Sequence, residues 1–431
     1  MKKYINQIPT LIMAVLLLTF TSCKKEYKNA GGANAADVLG SSKGLTGVAV
    51  GLQRTYTVSR PGLLFNSISA NGFVTNEIFL LNSGNIPELQ LTTGGSAVDG
   101  TNSILGNLWA NANKIIYDAD NVITNAANLT DKNYASGLIA YSSIFKALAI
   151  GNMSQYWEKV PSGIGKNVPF ITRVEGFNKA IATIDNALAV TQANPISASF
   201  LSNIPAGIDI QNTLNALKAR YALFAGNYPL AATSANLVDL TKKSTFNFDA
   251  LTLNAIFEVA TSTNNVFQPL NANLGLTAAF APDPNDKRIP FYTVTAATAP
   301  TVRISGFGAA STTAYPVYLP GEMTLIKAEV LARIPDLPNA LIELNKVVTK
   351  TAAADPFGVG ANLPALVGPF TQAQLLNEIY KQRCIELYMS GLKLEDMRRL
   401  NQPTADRKRN FFPYPFTERD NNINTPADPA F

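Results

Sequence analysis

The sequence predicts a mainly α protein, one body of helical hairpins carrying loop-rich insertions. Three observations carry that prediction. Apolar residues recur every three or four positions through most of residues 104–240 and 322–400, the spacing that gives a helix one buried face. These periodic stretches come in pairs joined by short turns. Two stretches, 59–103 and 244–313, lack the period and are rich in Gly, Asn, Ser and Thr, which mark loops. The 431 residues are 47% hydrophobic, enough to build a core. Length alone suggests two or three domains, but the continuity of the helical pattern argues for one body.

The chain opens with Lys2 and Lys3 ahead of an apolar run of ten residues, Leu11 to Phe20. That run is too short to span a bilayer and has the anatomy of a secretory signal. Thr21-Ser22-Cys23 follows. Small residues directly before a Cys resemble a bacterial lipobox, with Cys23 as the lipidated first residue of the mature chain. Residues 1–22 are thus expected to be a lipoprotein signal peptide. Residues 23–43, small, polar and aperiodic, are expected to be a flexible tether, and 44–431 the folded domain. Cleavage after Ser22 takes Lys2 and Lys3 with it, so the formal charge of +5 becomes +3. No basic cluster marks a nucleic-acid surface.

Leu45 to Tyr56 reads as a first short helix. Ile104 to Ala127 and Tyr134 to Tyr156 form the strongest pair, joined by Thr130-Asp131-Lys132-Asn133. Glu175 to Val190 and Thr213 to Tyr228 form another. Gly226-Asn227-Tyr228-Pro229 then leads into Ala231 to Leu240. Later, Glu322 to Ile334 meets Pro335-Asp336-Leu337-Pro338 and then Asn339 to Lys350. Both of these last segments read helix, turn, Ala-rich helix. Ala225, Ala231, Ala328 and Ala340 allow close helix approach. The pattern resembles a degenerate tetratricopeptide repeat, whose unit is about 34 residues, and four such hairpins are expected. Residues 244–313 interrupt the helices, with Val302 to Gly306 suggesting a short strand. Asp283 and Asp286 lie there in an Asp-rich turn. Calcium loops alternate oxygen ligands around a Gly and end in a Glu, and none of that is present. The turn is read instead as packed by Arg288.

The last helix is expected to run from Gln372 to about Leu400, with Leu376, Ile379, Tyr380, Cys384, Leu387, Tyr388 and Gly391 along one stripe. Arg398 and Arg399 sit in its last turn, where the helix dipole favours cations, and Pro403 stops it. Gln382-Arg383-Cys384-Ile385-Glu386-Leu387, Ser390-Gly391-Leu392-Lys393, Asp396-Met397-Arg398-Arg399 and the tail Tyr414-Pro415-Phe416 with Glu418 and Asn424 resemble the end of the SusD/RagB family of outer-membrane nutrient-binding lipoproteins. Gln382 and Ser390 stand where that family has acids, and Cys384 and Lys393 where it has arginines, so its charge network is thinned on both signs. These charges are read as pinning the helix to its neighbours, since buried charges persist only when paired.

The resemblance implies a SusD-like fold and a lipid-anchored protein on the cell surface of an outer membrane. It implies a protein that captures a glycan or other nutrient, delivers it to a SusC-like TonB-dependent barrel and catalyses nothing. No cofactor is expected. The absence of histidine excludes His-dependent triads, His general bases and His-ligated metals. With Cys23 and Cys384 the only cysteines, no thiolate zinc site is expected. A glycoside hydrolase needs only two carboxylates and stays open as an alternative, as does a tetratricopeptide-type lipoprotein that binds peptides. Long loops in compact domains are usually functional. The expected ligand surface is therefore where the two loop-rich segments converge. Phe73, Phe79, Tyr292 and Phe307 would present ring faces there, with Asn71, Asn76 and Arg303 as polar partners.

Overall fold

A computed structural model describes residues 34–262 and 266–431. The expected signal peptide and the lipidated Cys23 lie outside the described residues. The helices are α1 (Ala35–Leu39), α2 (Ser42–Thr57), α3 (Leu63–Val74), α4 (Ile86–Thr93), α5 (Ser103–Ala126), α6 (Lys132–Tyr156), α7 (Arg173–Ala193) and α8 (Ala198–Leu201). There follow α9 (Ile210–Phe224), α10 (Tyr228–Asn236), α11 (Arg288–Tyr292), α12 (Pro320–Arg333), α13 (Leu337–Val348), α14 (Gln372–Glu386), α15 (Lys393–Arg399) and α16 (Phe416–Asn421).

The sequence writes most helix starts in side chains that accept the first free backbone N–H groups. Asn102 Oδ1 accepts from the amides of Ile104 and Leu105 to open α5. Asp131 opens α6 through the Tyr134 amide, and Asp209 opens α9 through that of Asn212. Thr172 with Glu175 and Thr371 with Gln374 form reciprocal caps on α7 and α14. Helices α2, α5, α6, α7, α9, α10, α12, α13 and α14 pack each on the next. Their apolar faces bury a single large core. A second, smaller core lies between α12, α13 and α14, where Ala328 and Ala340 are completely buried, as the close-approach reading requires.

Short strands tie the non-helical segments to this body. Strand β1 (Ile78–Leu80) pairs antiparallel with β5 (Phe267–Pro269). Strands β2 (Lys159–Pro161) and β3 (Phe170–Thr172) pair between α6 and α7. Strand β4 (Thr245–Phe246) pairs with β8 (Tyr315–Pro316) and closes the insertion at its base. Strands β6 (Thr293–Thr295) and β7 (Val302–Ile304) form a hairpin that contains the expected strand.

Three expectations need correction. Residues 35–39 and 42–57 are helical, so the tether expected to reach residue 43 gives way to structure by Ala35. Residues 63–74, expected as surface loop, form α3, whose twelve residues are all buried. A helix with no wet face has no polar side to alternate with, so its period vanishes from the sequence. The helix expected over 372–400 is broken at 387–392. Met389 and Gly391 there adopt left-handed φ of 59° and 79°. The break is held by tertiary bonds: Tyr388 Oη donates to the Glu77 carbonyl at 3.0 Å and Tyr156 Oη to that of Gly391 at 2.8 Å.

Candidate functional site

The C-terminal motif is a buried ionic network. Arg288, completely buried, pairs with Asp286 at 2.6 Å and Glu386 at 3.1 Å and donates to Gln382 Oε1 at 2.5 Å. Lys350 bridges Glu386 and Asp355. Arg383 donates from Nε to Asp396 at 2.9 Å. Arg399 joins Asp396 to Glu329, and Arg173 and Arg398 share Glu395. Burial alone would raise the Glu329 carboxyl, but Arg399, Arg383 and Arg333 outweigh it and hold the group down at about 2. Burial pushes the Cys384 thiol up to about 12, which leaves it an inert packing group. Gly321 in α12 exists for this network: a Cβ there would lie 1.9 Å from Glu386 Oε1. The network fastens α14 and α15 to α12, to the turn before α11 and to α7. Arg288 also closes the Asp-rich turn, as read from the sequence.

The two loop-rich segments do meet. Phe79 of β1 lies opposite Gln268 of β5, and Gln268 Oε1 accepts from the Ile304 amide of β7 at 2.8 Å. Four of the expected ligand residues are nevertheless core. Phe73 is 0% exposed and edge-on to Phe267. Asn71 donates to Glu77 Oε2 at 2.5 Å and accepts from the Leu394 amide at 2.8 Å. Tyr292 is 3% exposed and donates to the Glu386 carbonyl at 2.6 Å. Phe307, 9% exposed, packs against Tyr292, Tyr315 and Phe357. None of these rings offers a face to solvent. Phe79, Asn76 and Arg303 stay half-buried at the surface, with Arg303 Nε donating to the Pro300 carbonyl at 3.2 Å.

Beyond β1 the chain turns back through Asn85 into α4, and a cleft of about 330 Å³ opens between this turn and the starts of α3 and α5. Arg60, Phe65, Asn66, Asn85, Glu88 and Asn107 line it. Arg60, its side chain 44% exposed, pairs with the fully buried Glu88 carboxylate, and its guanidinium sits 5.9 Å from the Phe65 ring centroid. Asn66 spends its Nδ2 on the carbonyls of Arg60, Pro61 and Gly62, which fixes the amide. Asn66 Oδ1 and Glu88 Oε2 are buried and accept from no group among the described residues. Such atoms are costly unless something donates to them. Ile86 adds an exposed apolar side chain to the rim.

The arrangement suits a polar ligand that receives hydrogen bonds from the Arg60 guanidinium and meets the Asn85 and Asn107 amides. The volume is at the lower end for small-molecule sites. Asn66 and Asn85 belong to the stretch 59–103 that its composition marks as loop-rich. Nothing in the sequence singled out Arg60 and Glu88, because they are far apart in the chain and belong to no motif. Among the described residues no group of three or more Cys, Asp or Glu could hold a metal ion, and no helix is long and apolar enough to cross a membrane.

No family model and no curated protein matches the sequence. Solved structures do match. A SusD superfamily protein from Parabacteroides distasonis is 15% identical with a TM-score of 0.69, covering 90% of this chain and 98% of that one. A SusD superfamily protein from Bacteroides fragilis is 14% identical with a TM-score of 0.67, covering 90% and 99%. A SusD-like carbohydrate-binding protein from Bacteroides vulgatus is 15% identical with a TM-score of 0.65, covering 84% of each chain. The chain therefore shares its fold with proteins of the SusD/RagB family, the family its C-terminal motif resembles.

Proposed function

We propose that this protein is a non-catalytic, lipid-anchored nutrient-binding protein of the outer-membrane surface. It captures a glycan in the Arg60–Glu88 cleft and passes it to a SusC-like TonB-dependent transporter. The observation that carries the binding role is the half-exposed Arg60 guanidinium in a cleft of about 330 Å³ that is also lined by Asn85 and Asn107. Arg60 donates to hydroxyl or ring oxygens, Asn85 and Asn107 bond hydroxyls, and Ile86 provides an apolar contact. Phe79, Asn76 and Arg303 extend the contact surface for longer ligands. The fold shared with a SusD-like carbohydrate-binding protein supports the same reading.

A hydrolase reading is weakened by the cleft itself. Glycoside hydrolysis needs two carboxylates flanking the bond, and Glu88 is the only carboxylate in the lining, already neutralised by Arg60. Acylation of Cys23 supplies the anchor, and several acyl chains are needed for a stable hold.

The test is titration of a glycan panel against wild type and Asn107→Trp. Asn107 is exposed, so the substitution fills the cleft from its rim and leaves the core alone. Binding is expected to weaken by roughly tenfold or more, about 1.4 kcal/mol, with an unchanged melting temperature. Undiminished glycan binding in this variant would overturn the assignment of the site.

A further inference from the structure

The cleft beside α4 carries a charge pattern that bears on which ligands it accepts. Its lining holds one cation, Arg60, and one anion, Glu88, and its other polar side chains, such as Asn85, Ser103 and Asn107, are uncharged. The two charges differ in position. The Arg60 side chain is 44% exposed, whereas that of Glu88 is completely buried. Glu88 stands in the first turn of α4, where the helix dipole favours a negative charge. Arg60 Nη2 donates to Glu88 Oε1. One nitrogen of the guanidinium is thus spent on the pair, and Nε and Nη1 are left to donate elsewhere.

A buried charge is screened less than an exposed one. The Glu88 carboxylate, out of contact with solvent, therefore offsets the positive field of the water-washed guanidinium in front of it. An anion entering the cleft meets hydrogen-bond donors but no net positive charge. It must also shed water, and a charged group loses far more by that than a hydroxyl does. An uncharged sugar loses little and gains the same donors. Without Glu88 the guanidinium would be a fork suited to carboxylates and sulfates.

We propose that Glu88 makes this cleft selective for uncharged glycans and turns away carboxylated and sulfated ones. The inference rests on the glycan reading of the cleft and adds the class of glycan. Glu88 touches no ligand. It acts through Arg60, whose charge it cancels while leaving its N–H groups available.

The test is calorimetric titration with a matched pair of ligands: the tightest uncharged oligosaccharide of the panel, and the same oligosaccharide oxidised at C6 to the uronate. Wild type is expected to bind the uncharged form at least about tenfold more tightly, with an affinity insensitive to salt. Glu88→Gln keeps the shape and an acceptor for Arg60 and removes only the charge. In that variant the uronate is expected to gain roughly tenfold in affinity, a gain that high salt erases, while the uncharged ligand changes little. A merely structural role for Glu88 would weaken both ligands together, and that result overturns the proposal. The wild-type preference needs no variant, so it decides the matter by itself where Glu88→Gln is too unstable to titrate. A uronate that binds wild type as tightly as its uncharged parent, and is lost in Asn107→Trp, overturns the charge selection and leaves the cleft as the site. Glycans whose binding Asn107→Trp leaves intact overturn the site, and the selection with it.

Discussion

Arg383 is completely buried, and taking a guanidinium out of water costs several kcal/mol unless charges and hydrogen bonds compensate. That is why Asp396 and Glu329 lie around it, and why Glu329 keeps its charge to unusually low pH. The folded-state carboxyl sits at about 2 against an ordinary 4.5. A depressed carboxylate stabilises the fold above its unfolded value and loses that contribution as pH falls toward the folded one. Wild type is therefore expected to lose stability between pH ~4.5 and ~2. Glu329→Gln starts less stable at neutral pH, and the gap between the two closes on acidification. Urea unfolding across that range checks it. At this scale the sequence spoke through short-range pattern. Asp286-Lys287-Arg288 was legible as a self-packed turn because its partners are two residues apart. Phe73 and Asn71 were not, since an aromatic beside an amide reads the same in a loop as in a buried helix. What tells them apart is the Asn71 bonds to Glu77 and Leu394, one of them to a residue 323 positions away.

Among the elements, helix α5 was readable and helix α3 was not. Helix α5 shows its buried stripe from Leu105 to Val122, and its polar side made the period visible. Helix α3 has no such side. The break at 387–392 was hidden for a different reason. Its apolar stripe continues through Leu387, Tyr388 and Gly391, and tertiary hydrogen bonds, among them those from Tyr156, Tyr388 and Tyr315, hold the break. Gly391 is the one sequence mark of the break. Its φ of 79° disfavours any side chain, and a Cβ would meet Tyr156 Oη at 3.2 Å. Gly391→Ala is expected to destabilise by more than about 1 kcal/mol, measured by urea unfolding. A variant as stable as wild type would show that the left-handed turn is not required.

For the whole molecule, hairpins supply a rigid frame and the segments that interrupt them form the surface, a common division of labour between scaffold and site. The frame was legible because helical period and turn chemistry are local. The cleft was not, because Arg60 and Glu88 meet only once α3 and α4 are folded against each other. Location gives one expected outcome at this scale: Cys23→Ala should move the protein from the membrane fraction to the soluble fraction, and an unchanged distribution would rule out the acyl anchor. The central claim, that the Arg60–Glu88 cleft takes a glycan, is tested most directly by a crystal structure with the tightest ligand from the panel. The expected result is a sugar between Arg60 and Asn107, with its oxygens within hydrogen-bond distance of the Arg60 guanidinium and the Asn107 amide. A sugar bound elsewhere on the protein, with those two side chains untouched, would contradict it.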